Sequence, residues 1–391
     1  MAVWARRGAC FSARWRERLS RPARPSLREN ALIYALWLLG LVGAALLFRN
    51  TLHSHLANRD FAAFWIAGKL AAGGQAAQAF SVSGNEPVAK AIGRIIESIF
   101  LYPPHALFFA VPVSYVPLRI AFWAWNALTA VLFYLAARAH LPPNFPKVLT
   151  ILTPAALISA GFGQVGLFFG ALWLFAFSGS GVAAALLTFK PHLGILVAVE
   201  MWRRKQLVMT TAIAAAIIGL SFVVFGPNAW RSWFSEALAV QLGDLTPRNY
   251  ATWLNKMTTP YIGYGLIGWL AFATAACWLL YRAFDVFTAA TASFLIAPYG
   301  FHYDMTVVCL GFGVLLFQQW RRLPAWQTFV AALAFLSPLL VGLGTWVIPP
   351  ILLAGLYVQT RNPLCGKEAA AKSDGPRQGL WGTLRQRQTF T

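Results

Sequence analysis

A series of apolar segments along almost the whole chain most constrains its fold. A transmembrane helix needs roughly 20 mainly apolar residues, so a chain of 391 residues with this pattern has room for about ten to twelve crossings. Only 11% of the residues are charged, against roughly 25% in soluble domains. Lipid must therefore be the solvent, and we expect an all-α polytopic membrane protein. The apolar segments are 31–48, 105–118, 119–139, 148–160, 163–178, 182–202, 207–225, 261–283, 285–299, 304–320, 326–342 and 345–359.

The distribution of charge predicts the topology. The formal net charge is +20, and eight arginines lie between Arg6 and Arg28, before the first apolar segment. Another basic cluster follows the last segment. Basic residues that flank membrane spans mark the cytoplasmic side, so this charge argues for a membrane and against nucleic acid as partner. We expect a basic cytoplasmic tail over 1–30, a transmembrane domain over 31–360 and a disordered cytoplasmic tail over 361–391.

Two longer, more polar stretches are expected on the non-cytoplasmic side, namely 49–103 as the first outer loop and 226–260 as the second. Alternation of the spans also places the corner at residues 300–303 on that side. Within the first loop, residues 60–72 and 87–100 have apolar side chains at helical spacing. Both stretches are too short or too charged to cross a bilayer, so we expect amphipathic helices along the membrane surface.

Asp60 is the most conspicuous acid in the chain. It follows the first apolar segment within Asn58-Arg59-Asp60-Phe61, and the chain has only twelve acidic residues in all. A carboxylate among aromatic side chains at a span end suits a general base, because burial adjusts its affinity for protons. The alternative is that Asp60 caps the helix that follows it.

Lys190 lies inside the apolar segment 182–202, where a lysine costs roughly 2.5–3.5 kcal/mol on membrane-insertion scales. Pro191 weakens the helix there and can open a water-lined kink. We expect Lys190 to pair with a phosphate or a carboxylate in a cavity, with snorkelling to the interface as the alternative. His302 and Asp304 lie at a second break between apolar segments, which is either a site or a plain interfacial corner.

The other candidates are less specific. Arg248 and Asn249 in the second outer loop would bind phosphate or sugar, or remain solvated. Tyr102 belongs to a rigid Tyr-Pro-Pro turn that would line a groove, and Gln164 lies between glycines. The sequence has no Gly-rich phosphate loop and no cluster of His and Cys. It therefore predicts no cofactor and leaves the metal requirement open.

Taken together, these motifs resemble glycosyltransferase family 87, which has the GT-C fold. The order and spacing agree across roughly residues 50–310, although the Leu-Tyr-Asp common in the family is replaced by Ala79-Phe80-Ser81. The motifs that carry the resemblance are Asp60-Phe61-x-x-Phe64-Trp65-x-Ala67, Tyr102-Pro103-Pro104, Gly163-Gln164, Lys190-Pro191 and Asn249.

The resemblance implies a bacterial inner-membrane enzyme. It would transfer a hexose, mannose above all, with inversion from a polyprenyl-phosphate-linked donor to a lipid or glycan acceptor on the outer face. In the family the aspartate of the first outer loop is the catalytic base, which matches Asp60, and a histidine near a late corner matches His302. The residues expected to bind the donor phosphate and sugar are Lys190, His192, Arg248, Asn249, Tyr102, Gln164 and Asp304.

Two other classes of function remain open. Broken helices and an intramembrane lysine also suit a secondary transporter, but the long first outer loop and the lack of internal duplication argue against one. A structural or assembly subunit without chemistry is the third possibility.

Overall fold

The computed structural model describes residues 31–52, 59–91, 99–142, 144–238, 265–343 and 345–364. Within these ranges the chain is helical and contains no β-strand, which confirms the all-α prediction. Both predicted tails lie largely outside the described residues. The α-helices in chain order are α1 Ala31–Leu52, α2 Arg59–Ala72, α3 Val82–Ala91, α4 Leu107–Ser114, α5 Leu118–Ala137, α6 Pro154–Phe162, α7 Gly166–Phe177, α8 Gly181–Leu186, α9 Pro191–Arg203, α10 Leu207–Ser232, α11 Gly265–Arg282, α12 Val286–Ile296, α13 Thr306–Gln319, α14 Ala325–Leu336 and α15 Ile348–Arg361.

The outer surface of this bundle is apolar. Val208, Val223 and Ile267 are each exposed by more than 80% of their area, at 85%, 81% and 84%. Many other large apolar side chains among the described residues are exposed too, which is unusual for a water-soluble monomer. Two described helices, Leu118–Ala137 and Leu207–Ala237, are long and apolar enough to cross a membrane, and the other apolar helices are shorter. These features fit a membrane protein.

Two helices were expected in 49–103, the predicted first outer loop. The first, 60–72, is present as α2, whereas the second, 87–100, is matched only by α3 up to Ala91, and residues 92–98 lie outside the described residues. Helix α2 does not lie along a surface. Every residue from Phe61 to Gly68 is buried, as is Leu70, and only Lys69 between them is exposed. The prediction of a one-sided helix was wrong because alanine and glycine on its other faces allow neighbouring backbones to approach closely. Helix α3, in contrast, buries Asn85 and Ala89 and exposes its other faces.

The predicted span 182–202 is two helices. Helix α8 ends at Leu186, a 3₁₀ turn follows over Leu187–Phe189, and α9 begins at Pro191. Lys190 lies between them with a non-helical φ of −133° and ψ of 67°. Proline disfavours a helical residue before it and is well placed at the first position of a helix, so Pro191 both ends one helix and starts the next.

The stretch 226–260, predicted as the second outer loop, begins at a break in the helix. Gly226 has φ 80° and ψ 159°, which breaks α10, but the chain resumes a helix at Pro227 and continues as a π-helix over Trp233–Ala237. The break at Gly226 falls where the sequence placed the end of an apolar segment, and the residues that follow it are helical. Residues 239–264, which include the rest of this loop, lie outside the described residues.

Helices α7, α12 and α13 form the centre of the bundle, because each is buried on all sides over most of its length. Gly166 permits this packing: a Cβ there would lie 2.0 Å from the carbonyl oxygen of Tyr303. The Thr306 hydroxyl donates to the carbonyl of Gly166 at 3.1 Å. The start of α7 and the corner between α12 and α13 are thus held together at one end of the centre.

Gly68 provides a test of the close packing around α2. A Cβ at Gly68 would lie 2.2 Å from the backbone oxygen of Ala110 in α4, so neither helix can give way cheaply. We expect Gly68→Ala to destabilise the protein by about 1–3 kcal/mol, as overpacking usually does. Gly219→Ala in α10 is the matched control, because a Cβ there meets nothing within 4 Å. Thermal unfolding in detergent measures both, and equal midpoints would contradict the packing described.

Candidate active site

The turn between α6 and α7 places Gln164. Gly163 ends α6 in the left-handed conformation with φ 64°, and the amides of Gly163 and Gln164 donate back to the carbonyls of Ala160 and Ser159. This is a Schellman C-cap, for which glycine is the favoured residue. A Cβ on Gly163 would lie 2.7 Å from the Cβ of Phe61. The glycine therefore also brings the start of α2 against this turn.

Asp60 and Gln164 meet at this contact. The Gln164 amide nitrogen donates to the Asp60 carboxylate at 2.8 Å, and the Tyr102 hydroxyl donates to the Gln164 amide oxygen at 3.2 Å. A carboxylate only accepts, so the amide must present its nitrogen to Asp60 and its oxygen to Tyr102. Asp60 is also in the first turn of α2, where the helix dipole favours a negative charge. Its carboxylate is thus oriented by a residue of the turn between α6 and α7.

Lys190 and Asp304 form a buried ion pair. The Lys190 ammonium donates to both carboxylate oxygens of Asp304 at 2.7 Å, and the two side chains are exposed by only 6% and 1%. The pair joins the break before α9 to the corner before α13. The sequence predicted either a phosphate or a carboxylate as the partner of Lys190, and in the structure Lys190 pairs with a carboxylate.

Aromatic rings surround the ammonium of Lys190. Its nitrogen lies 5.4 Å from the ring centroid of Tyr102, 5.9 Å from Phe301 and 5.2 Å from Tyr303, within the range of cation–π attraction. Tyr303 stacks on Phe301 at 4.9 Å between centroids. Tyr102 therefore touches both parts of the site, because its ring faces Lys190 and its hydroxyl bonds Gln164.

Tyr102 remains protonated in this position. It lies between helices, outside the membrane-spanning segments, and burial raises the pKa of its phenol well above the usual value. The nearby carboxylates of Asp304 and Asp60 raise this pKa further, since a phenolate would add a third negative charge. The hydroxyl is accordingly a permanent donor to Gln164.

Family comparison identifies the class of protein that carries this arrangement. The model of glycosyltransferase family 87 matches residues 100–301, just over half of the chain. The chain belongs to this family. Its members are glycosyltransferases, so the protein acts on a sugar donor and an acceptor. The match confirms the family resemblance of the sequence motifs, and no curated protein or solved structure matches the chain.

The family 87 match includes Tyr102, Gln164 and Lys190, whereas Asp60 lies before it and Asp304 just after it. The structure brings all five side chains into one continuous set of contacts. The part of the site outside the matched range is therefore joined to the matched part by hydrogen bonds and by the ion pair.

The remaining candidates of the family 87 site lie around this set or outside the described residues. The ring of His192, the second residue of α9, packs against the ring of Tyr299 with centroids 4.1 Å apart. The ring of His302 lies 6.2 Å, between centroids, from the ring of Phe162. Phe162 precedes Gln164 by two residues in the chain. Arg248 and Asn249 lie outside the described residues, so their roles stay predictions. Over the described ranges, no three His, Cys, Asp or Glu side chains come together to hold a metal ion.

Sequence reasoning missed two features of the site. It gave Tyr303 and Phe301 no role in the site, although both flank the ammonium of Lys190. It also passed over His105, which is 3% exposed and contacts Thr188. The signal in the sequence was the position of His105 directly after the Tyr-Pro-Pro turn. A histidine buried next to that turn would need a polar partner, which marks it as a candidate for the site.

The ion pair predicts a specific pattern of stability. Lys190→Met or Asp304→Leu alone leaves a buried charge without its partner, which typically costs about 3–5 kcal/mol. We expect the double variant to recover most of this loss, because it removes both charges. Thermal unfolding in detergent measures the three variants.

The matched control is Lys90→Met, because Lys90 pairs with Glu86 at 2.7 Å on the surface, with both side chains more than half exposed. Exposed pairs of this kind contribute little, so the midpoint should not move. Single variants of Lys190 and Asp304 that melt like the wild type would contradict the closed ion pair.

Proposed function

We propose that this protein is an integral membrane hexosyltransferase. Its donor is a polyprenyl-phosphate-linked sugar, with mannose as the first candidate, and its acceptor is a lipid or a glycan on the non-cytoplasmic face of the bacterial inner membrane. The N- and C-termini are cytoplasmic in this proposal, and residues 31–360 form a GT-C-type domain with about ten to twelve membrane helices. Membership of family 87 and the apolar outer surface support this assignment.

The observation that carries the proposal is the hydrogen-bonded position of Asp60. In the proposed step, Asp60 takes the proton of an acceptor hydroxyl while the hydroxyl oxygen attacks the anomeric carbon. The bond between that carbon and the phosphate oxygen breaks from the opposite side, so the product has inverted configuration. The lipid phosphate leaves with the electron pair and needs little protonation.

The cationic part of the site would stabilise the leaving phosphate. Asp304 already compensates the charge of Lys190 through both carboxylate oxygens, so Lys190 supplies a positioned N–H more than a net positive charge. We therefore assign the larger share of charge stabilisation to Arg248, with His302 as a second contributor. His192 and Asn249 would contact the sugar or the phosphate.

The donor phosphate needs a space that the ion pair itself does not provide. The cavity that touches Asp304, lined among others by Phe169, Trp173 and Ser293, has a volume of about 10 Å³. This volume suits about one water molecule. The donor would accordingly bind on the side of Tyr102 and Asp60, and its prenyl chain would lie between the apolar helices.

Asp60→Asn tests the general base. The amide keeps the size of the side chain but cannot take the proton, so transfer should fall by roughly 10²–10⁴-fold with the protein still folded. Glu86→Gln is the matched control, because it makes the same chemical change at an exposed acid of the same loop. Transfer at the wild-type rate by Asp60→Asn would refute the assignment.

The same preparation separates a transferase from a transporter. Proteoliposomes receive a radiolabelled polyprenyl-phosphate sugar and a lipid acceptor extract, and the label is followed into acceptor, lumen or neither. A transferase moves label into the acceptor, and this requires Asp60. Uptake of labelled solute without transfer would instead support a secondary transporter, for which the helix break at Lys190 is a typical feature.

Gln164→Leu tests how Asp60 is held. The amide donor stabilises the ionised carboxylate, so its removal should let the protonated form persist to higher pH. Because the base acts in its ionised form, the acidic limb of the pH–rate profile should move to higher pH, with a smaller change at the plateau. Gln319→Leu at the end of α13 is the control and should leave the profile in place. An unshifted acidic limb in Gln164→Leu would count against the role of Gln164.

A further inference from the structure

His105 is a buried polar residue that the proposed chemistry does not use. It lies in the 3₁₀ turn Pro104–Ala106, directly after the Tyr-Pro-Pro turn, and is 3% exposed. Its ring stacks on Trp230 with centroids 6.0 Å apart and planes 18° apart. Trp230 is fixed in turn, because its indole nitrogen donates to the Ser221 hydroxyl at 3.1 Å. The plane of the imidazole is therefore set by α10.

The hydrogen bonds around Thr188 define which nitrogen of His105 carries the proton. The Thr188 hydroxyl donates to the Ala185 carbonyl at 2.7 Å, so its oxygen is left to accept. The Nε2 of His105 lies 3.3 Å from this oxygen and therefore donates to it. Nδ1 then carries a lone pair, and among the described residues it has no hydrogen-bond partner. A proton there would be a buried charge without compensation, so the ring is neutral.

This bond joins two segments that both carry site residues. Tyr102 and His105 belong to one segment, with Pro103 and Pro104 between them, and prolines restrict the backbone. Thr188 and Lys190 belong to the other, on and just after the 3₁₀ turn that ends α8. At one end Nε2 meets the Thr188 hydroxyl, and at the other the Tyr102 ring lies 5.4 Å from the Lys190 ammonium. The segments are thus joined at both ends.

We propose that His105 is a positioning residue of the active site, which holds the Tyr102 segment against the Lys190 turn through its Nε2–H bond to Thr188. The bond fixes the height of the Tyr102 ring over Lys190 and so directs the Tyr102 hydroxyl to Gln164, which orients Asp60. His105 does not contact substrate in this role. The inference rests on the proposed transferase function, because its effect passes through Asp60.

The test uses two amides of different length in the full-length protein in proteoliposomes. The side-chain nitrogen of Gln corresponds in position to Nε2 of histidine, whereas that of Asn corresponds to Nδ1. His105→Gln should therefore keep transfer within about threefold of wild type, and His105→Asn should lower kcat roughly tenfold, as loss of one hydrogen bond would. Thr188→Ser should retain the activity and Thr188→Val should lose it to the same extent as His105→Asn.

Two further measurements separate positioning from general destabilisation. His105→Asn combined with Thr188→Val should be no slower than either single variant, because both remove one bond. Adding His105→Asn to Gln164→Leu should cause no further loss of kcat, because the connection to Asp60 is already broken. A purely structural role would instead lower the melting midpoint and reduce activity multiplicatively in that background.

Each result decides one question. Wild-type rates in both His105→Asn and Thr188→Val, measured beside an inactive Asp60→Asn, would overturn this inference and leave the proposed function in place. Equal losses in His105→Gln and His105→Asn would also overturn it, because the position of the donor would then not matter. Absence of transfer in the wild-type protein would overturn the proposed function, and this inference with it.

Discussion

The buried ion pair between Lys190 and Asp304 is the interaction on which the site depends. Two opposite charges in an apolar bundle are stable only together, so the break before α9 and the corner before α13 must lie side by side. Pro191 makes this possible, because it ends the helical ladder where Lys190 has to turn inward. The pair also explains why a lysine can remain in a segment that is otherwise apolar. Its energetic role is to specify one arrangement of these elements, since the two charges add little net stability.

Tyr102 connects this structural pair to the chemistry. Its ring packs against the ammonium of Lys190, and its hydroxyl begins the hydrogen-bonded series through Gln164 to Asp60. Each member has one fixed hydrogen-bonding role, because the carboxylate only accepts and the phenol stays protonated. If Asp60 is the general base that we propose, holding it in this way spares a rearrangement before proton transfer, which is the usual benefit of preorganisation. Membership of family 87 makes the protein a glycosyltransferase, and we propose that this arrangement serves sugar transfer.

Much of the helical layout could be predicted, because an apolar segment directly indicates a helix with apolar surroundings. The errors came from residues with two structural uses. Gly226 breaks the helix where the segment was expected to end, but the helix that resumes at Pro227 was not expected, because a Gly-Pro pair can precede either a loop or a new helix. Alanine and glycine in α2 can face solvent or a close neighbour, so a helix buried on all sides was taken for a surface helix. His105 was overlooked because a single buried histidine has no spacing pattern to reveal it.

The sequence by itself determined the class of the protein: an apolar all-helical chain of family 87, with Asp60 after the first apolar segment and a lysine within a later one. These follow from composition and local order, which need no knowledge of distant contacts. Only the tertiary structure decided that Lys190 pairs with Asp304 and that Gln164 holds Asp60. Those partners are more than 100 residues apart in the chain, and their contact depends on how glycines and prolines let the helices approach.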